Sequence, residues 1–485
     1  MSLSKSRYMS GLQCRKKLWW EVHEPNAPEL ETTAGQQTVY DRGHEVGALA
    51  RTYVPGGVLI DLPFYETRQR VEATARAIDA GVPVIYEASF MADDVFVAVD
   101  ILERNGDGFT LAEVKSTLSA KRVHIPDVAI QLHVARRSGL DVERAQVMHL
   151  NRECRHPDLS NLFVREDVTP LLEDELRDAP ARIDALHAML AGALPEIATG
   201  PHCSAPYPCP FVGRCWAPQP EHHISTLYSI RGTKAAQLEG EGYRTLLDLP
   251  ADYEASGPAK RQLQSVRMGR IVVEAGLRDA LESLNAPIAF LDFETIAPVV
   301  PVWPGCAPLQ SVPVQFSCHV VDHDELTHHA WLADGPGDPR EAFARAMIAA
   351  CAGVRTVLAY NASYEQTEIR KLARALPHLA PELMALSGSI RDLLAIVRDH
   401  VYHPDFQGSF SIKTVLPALV PGPWYDELEI QDGGTASAAL ESLLLREHAR
   451  SPGERVALRE QLLRYCEMDT LAMVRLYERL AELVR

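Results

Sequence analysis

The chain has 485 residues, a formal net charge of −17, 46% hydrophobic residues and 23% charged residues. These fractions are ordinary for globular proteins, and the length predicts two or three domains. The negative charge argues against a protein that coats polyanions nonspecifically, but it allows an enzyme whose acidic side chains cluster around metal ions. Because the sequence shows no apolar N-terminal core and no run of about 18 apolar residues, we expect a cytoplasmic protein without a signal peptide or a membrane span.

The first twenty residues carry a local excess of positive charge. They contain Lys5, Arg7, Arg15, Lys16 and Lys17 and no acidic residue. Such a segment can contact a phosphate backbone, which makes Arg7, Arg15, Lys16 and Lys17 candidate nucleic-acid contacts. A solvated basic arm without a ligand is an equally good interpretation.

Residues 95–115 predict a β-hairpin, because two apolar runs flank the turn sequence NGDG. The first strand carries Asp100, and the second carries Glu113 and Lys115, whose side chains point to the same face. A lysine beside two carboxylates indicates a site for phosphodiester cleavage, in which the carboxylates bind Mg²⁺ or Mn²⁺. The alternative is a solvated strand face with an ordinary ion pair.

This pattern resembles the PD-(D/E)xK nuclease superfamily and, within it, the RecB-like branch. The order in that branch is a glutamate, an aspartate at the end of a strand, and a (D/E)-x-K motif on the next strand. The resemblance implies that Glu87 is the upstream acid and that Gln131, on the following helix, supports the site. It also implies His44 as a further metal ligand.

Three cysteines, Cys203, Cys209 and Cys215, lie in the segment PHCSAPYPCPFVGRCW, and Cys14 lies far upstream. The Pro, Gly and aromatic residues around the three are typical of a tight metal-binding loop. Four thiolates can bind Zn²⁺ or an iron–sulfur cluster, and the paired Cys-x-x-Cys knuckles of a zinc ribbon are missing from the sequence. The alternative is a cysteine-containing loop that binds no metal.

One cysteine before the nuclease motifs and three after them resemble the layout of the iron–sulfur nucleases of the RecB-like branch. CRISPR-associated RecB-like exonucleases and AddB-type helicase–nuclease subunits share it. The resemblance implies an iron–sulfur cluster, with 4Fe–4S favoured and zinc as the alternative. Its ligands would be Cys14, Cys203, Cys209 and Cys215.

A second group of acids lies in the C-terminal part of the chain. Asp292 and Glu294 end an apolar strand in PIAFLDFETIAP, and Glu365 lies on a predicted helix that follows the buried strand TVLAY. Near the C-terminus, Tyr465 and Asp469 are four residues apart in a helical pattern and therefore share one helix face. For the first pair, a strand end with a helix cap is the alternative interpretation.

The order of these motifs resembles DEDD-type 3′–5′ exonucleases of the ribonuclease H-like fold, and the tyrosine indicates the DEDDy subtype. The resemblance implies that Tyr465 positions the attacking water and that Lys413 contacts phosphate. It also implies four ligands for Mg²⁺ or Mn²⁺: Asp292, Glu294, Glu365 and Asp469.

The sequence therefore predicts an α/β protein with three parts. These are a RecB-like nuclease domain with the cysteine loop at 1–220, a helical module resembling a helix-hairpin at 221–284, and a ribonuclease H-like domain at 285–485. Nearly the whole chain resembles a bacterial family that joins two such domains.

The leading hypothesis is a metal-dependent nuclease, with DNA favoured over RNA and single-stranded ends or flaps as its substrate. Two alternatives stay open. Either only one of the two sites is active, or the protein binds nucleic acid without turnover and uses its metal cluster as a structural element.

Overall fold

The computed structural model describes residues 2–216, 218–323, 325–446 and 450–485. The chain divides into two compact units, the first formed by Met1–Ala217 and Pro298–Gln310, the second by Pro218–Ala297 and Ser311–Arg485. Both units combine helices with β-sheet, so the prediction of a mixed α/β protein is confirmed. Among the described residues, no helix combines the length and apolar character needed to span a bilayer.

The sheet of the first unit has seven strands in its described part. They are β1 (Leu3–Ser4), β2 (Gly57–Leu59), β3 (Val84–Ala92), β4 (Val95–Asn105), β5 (Gly108–Lys115), β6 (Val142–Leu150) and β7 (Phe163–Asp167). The α-helices of this unit are α1 (Lys5–Gln13), α2 (Arg15–His23), α3 (Ala34–Tyr53), α4 (Thr67–Asp79), α5 (His124–Arg137), α6 (Glu173–Leu190) and α7 (Val212–Cys215).

The strands lie in the order β2-β3-β4-β5-β6-β7, and β1 pairs with β4. The predicted hairpin is confirmed, because β4 and β5 pair antiparallel as far as Asn105 and Gly108. Gly106 in its turn has a φ of 62°, a conformation that a glycine adopts without strain. The core of this unit lies between the sheet and helices such as α5 and α6, and includes Leu111, Leu132 and Ile183.

Strand β4 pairs with two partners along one edge, and the gap between them positions the charged residues. Its first residues pair in parallel with β1, with Ser4 opposite Phe96. Its pairing with β5 starts only at Ile101, opposite Ala112. The backbones of β4 and β5 therefore separate just before Ile101 and just after Ala112, so that Asp100 and Glu113 lie at the fork, where the chain that leaves β1 enters.

The second unit contains two sheets in its described part. Their strands are β8 (Val272–Val273), β9 (Ile288–Ile296), β10 (Val312–Asp322), β11 (Glu325–Leu332), β12 (Thr356–Ala359), β13 (Ile390–Asp392) and β14 (Val401–Tyr402). The helices are α8 (Gly232–Gly240), α9 (Gly257–Met268), α10 (Gly276–Glu282), α11 (Arg340–Ala350), α12 (Ser363–Ala375), α13 (Ala380–Ser389), α14 (Leu393–His400), α15 (Ile412–Leu419), α16 (Gly433–Leu445) and α17 (Pro452–Leu483).

The larger sheet has the order β11-β10-β9-β12-β13. Strand β10 is antiparallel to both of its neighbours, β9 and β11, whereas β9, β12 and β13 run parallel to one another. Because β9 and β12 are parallel, their carboxyl ends lie at the same edge of the sheet. The strand predictions near 288–294, 313–321 and 355–360 are confirmed.

Helix α17 has 32 residues, and the residues around its N-terminus account for where it begins. Ser451 caps it, Pro452 occupies the first turn, and Glu454 completes a capping box with Ser451. The helix packs against β9 and β10. The segment 221–284 contains α8, α9 and α10, but also the short strand β8, which pairs with β14.

Candidate active sites

The carboxyl end of β9 and the middle of α17 bring three carboxylates together, here named the acid cluster: Asp292, Glu294 and Asp469. Their ligand oxygens all lie within 4.8 Å of one another. Asp292 and Glu294 lie beyond Phe290, the last residue of β9 that pairs with β12. The structure thus brings together three of the four acids for which the sequence predicts one site.

Burial raises the pKa values of all three acids of the cluster, and repulsion between the carboxylates adds to the rise for Asp292 and Glu294. Burial raises the pKa of Asp292 well above its usual range, and the charges of Asp469 and Glu294 add to the rise. Burial and the charge of Asp469 raise the pKa of Glu294 to about 8, against the opposing charge of Lys413. The pKa of Asp469 is raised to about 6, again mainly by burial. Such a cluster is unfavourable without a cation, which is the electrostatic property expected of a metal site.

Two tyrosines surround Asp469. The hydroxyl of Tyr425 donates a hydrogen bond of 2.8 Å to its Oδ1 atom, and a hydrogen bond from Tyr465 also lowers its pKa. Burial, followed by the charge of Asp469, raises the pKa of both phenols, so both remain protonated donors at neutral pH. The Lys413 ammonium lies 4.9 Å from the ring of Tyr425 and 5.4 Å from that of Tyr465. Lys413 also donates to the carbonyl of Gln431.

Glu365 lies near the acid cluster but outside its 4.8 Å group. It lies in the first turn of α12, after β12 and Asn361, and its charge raises the pKa of Asp292 and Glu294. Burial raises the pKa of Glu365 itself to about 7. Its Oε2 atom is buried and has no hydrogen-bond partner among the described residues. An orphaned carboxylate oxygen beside three clustered carboxylates fits a cation that all four residues would share.

In the first unit, the fork between β4 and β5 holds a network of lysines and carboxylates, here named the lysine cluster: Lys5, Lys115, Glu113 and Asp127. Lys115 Nζ lies 2.7 Å from Glu113 Oε1 and 2.6 Å from Asp127 Oδ2. Lys5 Nζ lies 2.7 Å from the same Glu113 oxygen and 3.3 Å from Asp127 Oδ1. Gln131 Nε2 donates to Glu113 Oε2 at 2.8 Å.

Both ammonium groups control the protonation of Glu113. Burial alone would raise its pKa, but Lys115 and Lys5 outweigh burial and hold it well below its usual range. Asp100 lies close by and accepts a hydrogen bond of 2.6 Å from the backbone N–H of Val114, in place of the missing strand pairing. Burial raises the pKa of Asp100 well above its usual range, and the charge of Glu113 raises it further.

The other predicted residues of this site are less closely joined to it. Glu87 lies in β3 with a φ of 58°, its charge raises the pKa of Asp100, and its carboxylate lies 3.5 Å from Arg70. His44 is exposed on α3. Among the described residues, the contacts that link the lysine cluster do not include His44.

The four predicted cysteine ligands line one cavity. Cys14 lies between α1 and α2, and the other three follow α6. Gln13 Nε2 joins the two segments by donating to the carbonyls of His202, at 2.8 Å, and Tyr207, at 2.7 Å. All four thiols are free. No three of these described sulfur atoms lie within 4.8 Å of one another.

The basic residues of the N-terminal segment divide into two groups. Lys16 and Lys17 line the cysteine cavity, and their charges oppose the rise that burial causes in the pKa of Cys215 and Cys209. Arg15 is exposed, and Arg7 is half-buried near Glu21. Lys16 and Lys17 thus favour the thiolate forms of Cys215 and Cys209 against the effect of burial, which was not predicted from the sequence.

Three residues that contact these sites were not predicted from the sequence as members of them. Asp127 lies four residues before Gln131 on α5, so helical spacing offered a signal for it. Lys5 reaches Glu113 across 108 residues and Tyr425 reaches Asp469 across 44, and neither contact follows from a local pattern.

Comparison with known proteins adds one result. A family described as a domain of unknown function, DUF2779, matches residues 289–411. This stretch includes Asp292, Glu294 and Glu365 but ends before Tyr425 and Asp469, and it covers less than half of the chain. No curated protein matches the chain significantly.

Proposed function

We propose that this protein is a metal-dependent nuclease whose main hydrolytic site is the acid cluster of the second unit. The observation that carries the proposal is the convergence of Asp292, Glu294 and Asp469 within 4.8 Å, beside the buried and unpaired oxygen of Glu365. Hard oxygen ligands of this kind suit Mg²⁺ or Mn²⁺. The mixed five-stranded sheet, with acids at the end of its central strand, supports a ribonuclease H-like domain of DEDDy type.

The residues of this site would have separate roles in binding the cations, the water and the phosphate. Asp292, Glu294, Glu365 and Asp469 would hold the cations, which would polarise the phosphodiester and favour attack by water. Tyr465, protonated and adjacent to Asp469, positions the water by its hydroxyl group. The Lys413 ammonium, held over both tyrosine rings, offers a positive charge to the phosphate.

A cleft of about 260 Å³ offers a place for the nucleic-acid strand. Its lining includes Trp424 and Arg464, which directly precede Tyr425 and Tyr465 in the chain, together with the acids Glu427 and Glu467. Aromatic and guanidinium planes stack on unpaired bases, whatever their identity. Such stacking suits the unpaired bases of single-stranded DNA and RNA alike, so the preference for DNA stays a prediction.

The lysine cluster is evidence for a RecB-like site in the first unit, but for one that does not carry the main hydrolytic activity. Glu113 is bound by two ammonium groups and one amide, so a cation would have to displace Lys5 before it could bind there. This observation favours the alternative that a single site is active, with the first unit binding nucleic acid.

The cysteine cavity supports a metal cluster in the first unit. Four thiols that line one cavity can hold either an iron–sulfur cluster or Zn²⁺. The resemblance of the cysteine layout to iron–sulfur nucleases is what favours the iron–sulfur cluster. Lys16 and Lys17 would offset part of its negative charge.

The proposal is tested by cleavage of end-labelled single- and double-stranded DNA and RNA by the full-length protein in Mn²⁺. Asp292→Asn should reduce cleavage by about a hundredfold, since removing a ligand should cost at least as much as removing a group that only supports one. Lys115→Ala should reduce it less. Glu460→Gln, an exposed acid-to-amide change on α17, serves as the matched control and should leave the rate unchanged.

The outcomes separate the alternatives. Equal losses from Asp292→Asn and Lys115→Ala would indicate two working sites. Loss in Lys115→Ala alone would move the hydrolytic site to the first unit and contradict the proposal. Binding of single-stranded DNA without cleavage by the wild-type protein would support a binding protein instead.

A further inference from the structure

Two histidines and a glutamate meet beside α17 in a group separate from the acid cluster, although the glutamate also lines the cleft described above. His319 on β10 and His328 on β11 are directly opposite each other in the antiparallel ladder. Cross-strand partners of this kind point to the same face of a sheet. Glu467 on α17 joins them, and the ligand atoms of the three residues all lie within 4.8 Å of one another.

Hydrogen bonds leave one nitrogen of each ring available. His319 Nδ1 lies 2.8 Å from the hydroxyl of Thr470, and its Nε2 has no hydrogen-bond partner among the described residues. His328 Nε2 lies 2.9 Å from the hydroxyl of Ser317, and its Nδ1 lies 3.7 Å from Glu467 Oε1. The hydroxyls of Ser317 and Thr470 are themselves 2.6 Å apart. Metal-binding histidines usually have their second ring nitrogen fixed by a hydrogen bond, and these two hydroxyls provide that bond here.

The environment keeps the rings neutral. His319 is buried, and burial, helped by the neighbouring His328 and by Arg475, lowers its pKa to about 4. Burial also lowers the pKa of His328, although Glu467 opposes this. A neutral imidazole binds a metal without first losing a proton. The ring centroids are 4.3 Å apart at an interplanar angle of 21°, so the two rings lie side by side.

We propose that His319, His328 and Glu467 form a binding site for one transition-metal dication of the zinc class, distinct from the acid cluster. Two imidazoles and one carboxylate are a ligand set that zinc accepts, with a fourth position left for water. Mg²⁺ binds poorly to such a site because it prefers oxygen ligands alone. The two sites would therefore select different metals.

The position of this site gives it a structural consequence. A metal held by these residues ties β10 and β11 to α17, two residues before Asp469 on the same helix. Ser317, which bonds to His328, lies opposite Asp292 in the pairing of β10 with β9. The bound ion would thus fix the helix that carries one ligand of the acid cluster against the strand that carries the others.

The test uses Zn²⁺ alone and the full-length protein. After equilibrium dialysis against Zn²⁺ and metal analysis, His328→Ala should hold one equivalent less than the wild type. Glu467→Gln should lower the affinity of this site for Zn²⁺ by about tenfold or more. His329→Ala, the exposed neighbour on β11 whose side chain alternates to the opposite face, is the matched control and should bind as the wild type does.

The acid cluster and the cysteines are unchanged in all three variants, so the difference reports this site alone. Circular dichroism checks that each variant folds. If His328→Ala does not fold, Glu467→Gln still tests the proposal. Equal zinc content in the wild type, His328→Ala and Glu467→Gln would overturn the proposal. An equal loss in His329→Ala would overturn it as well. Neither result depends on whether the protein cleaves nucleic acid.

Discussion

The repulsion within the acid cluster predicts that Asp469→Asn stabilises the metal-free protein at neutral pH while it abolishes cleavage. Apart from burial, Asp469 contributes most to the raised pKa of both Asp292 and Glu294. The amide oxygen of asparagine can still accept the hydrogen bond from Tyr425. The substitution therefore removes a charge and changes the shape of the site little.

The magnitude follows from the pKa of Glu294, which rises from 4.5 in a reference carboxyl group to about 8 in the folded protein. Between these values the folded state keeps a proton that the unfolded state releases, so stability falls as the pH rises. One such proton is worth at most about 1.4 kcal/mol per pH unit, or about 3 kcal/mol from pH 5 to pH 7. Solvent screening of this partly exposed group reduces the loss to about 1–2 kcal/mol.

Thermal unfolding in EDTA, followed by circular dichroism between pH 5 and pH 8, measures this effect. The wild-type midpoint should fall across this range, and Asp469→Asn should fall less, with a gain of about 1 kcal/mol or about 2–4 °C at pH 7. Glu460→Gln, an exposed change on the same helix, should follow the wild type. A wild-type midpoint independent of pH, or destabilisation by Asp469→Asn at every pH, would refute the repulsion argument.

Three further predictions concern the other sites. Lys5→Ala should lower the stability of the first unit by about 1–3 kcal/mol, because Glu113 and Asp127 lose one of two ammonium partners. Urea unfolding measures this loss, with the exposed Lys121→Ala as control, and equal losses in the two variants would contradict the prediction. Cys209→Ala should remove the visible absorbance of anaerobically purified protein, whereas Cys154→Ala should keep it; a colourless wild type that contains only zinc would contradict the iron–sulfur assignment. Lys413→Gln should weaken single-stranded DNA binding and make its salt dependence shallower by about one ion, and an unchanged slope would argue against a phosphate contact.

Local sequence patterns predicted the strands and helices that carry the sites, because each pattern is contained within a few consecutive residues. The NGDG turn fixed the β4–β5 hairpin, and the two-residue spacing placed Glu113 and Lys115 on one face. In the same way, the spacing of Tyr465 and Asp469 placed both on one face of α17. These are the periodicities of a strand and a helix, which backbone geometry alone dictates.

Partners from distant segments could not be predicted in this way. Lys5 enters the first site only because β1 pairs with β4 and ends at the fork, a contact that no propensity encodes. The histidine site requires the register of β10 against β11 and the packing of α17 on both strands. Each depends on tertiary packing, which a single sequence does not reveal without related sequences.

The central position of the ligands in α17 has a consequence for local unfolding. Helices fray from their ends, and the free energy of opening rises toward the middle. Asp469 lies near the midpoint of the 32-residue helix, and the turn around it packs on β9 and β10. Amide hydrogens of this turn should therefore exchange only when the whole unit opens, while those near Pro452 and Leu483 exchange first. A site built in this way is lost by global unfolding rather than by fluctuations of its helix.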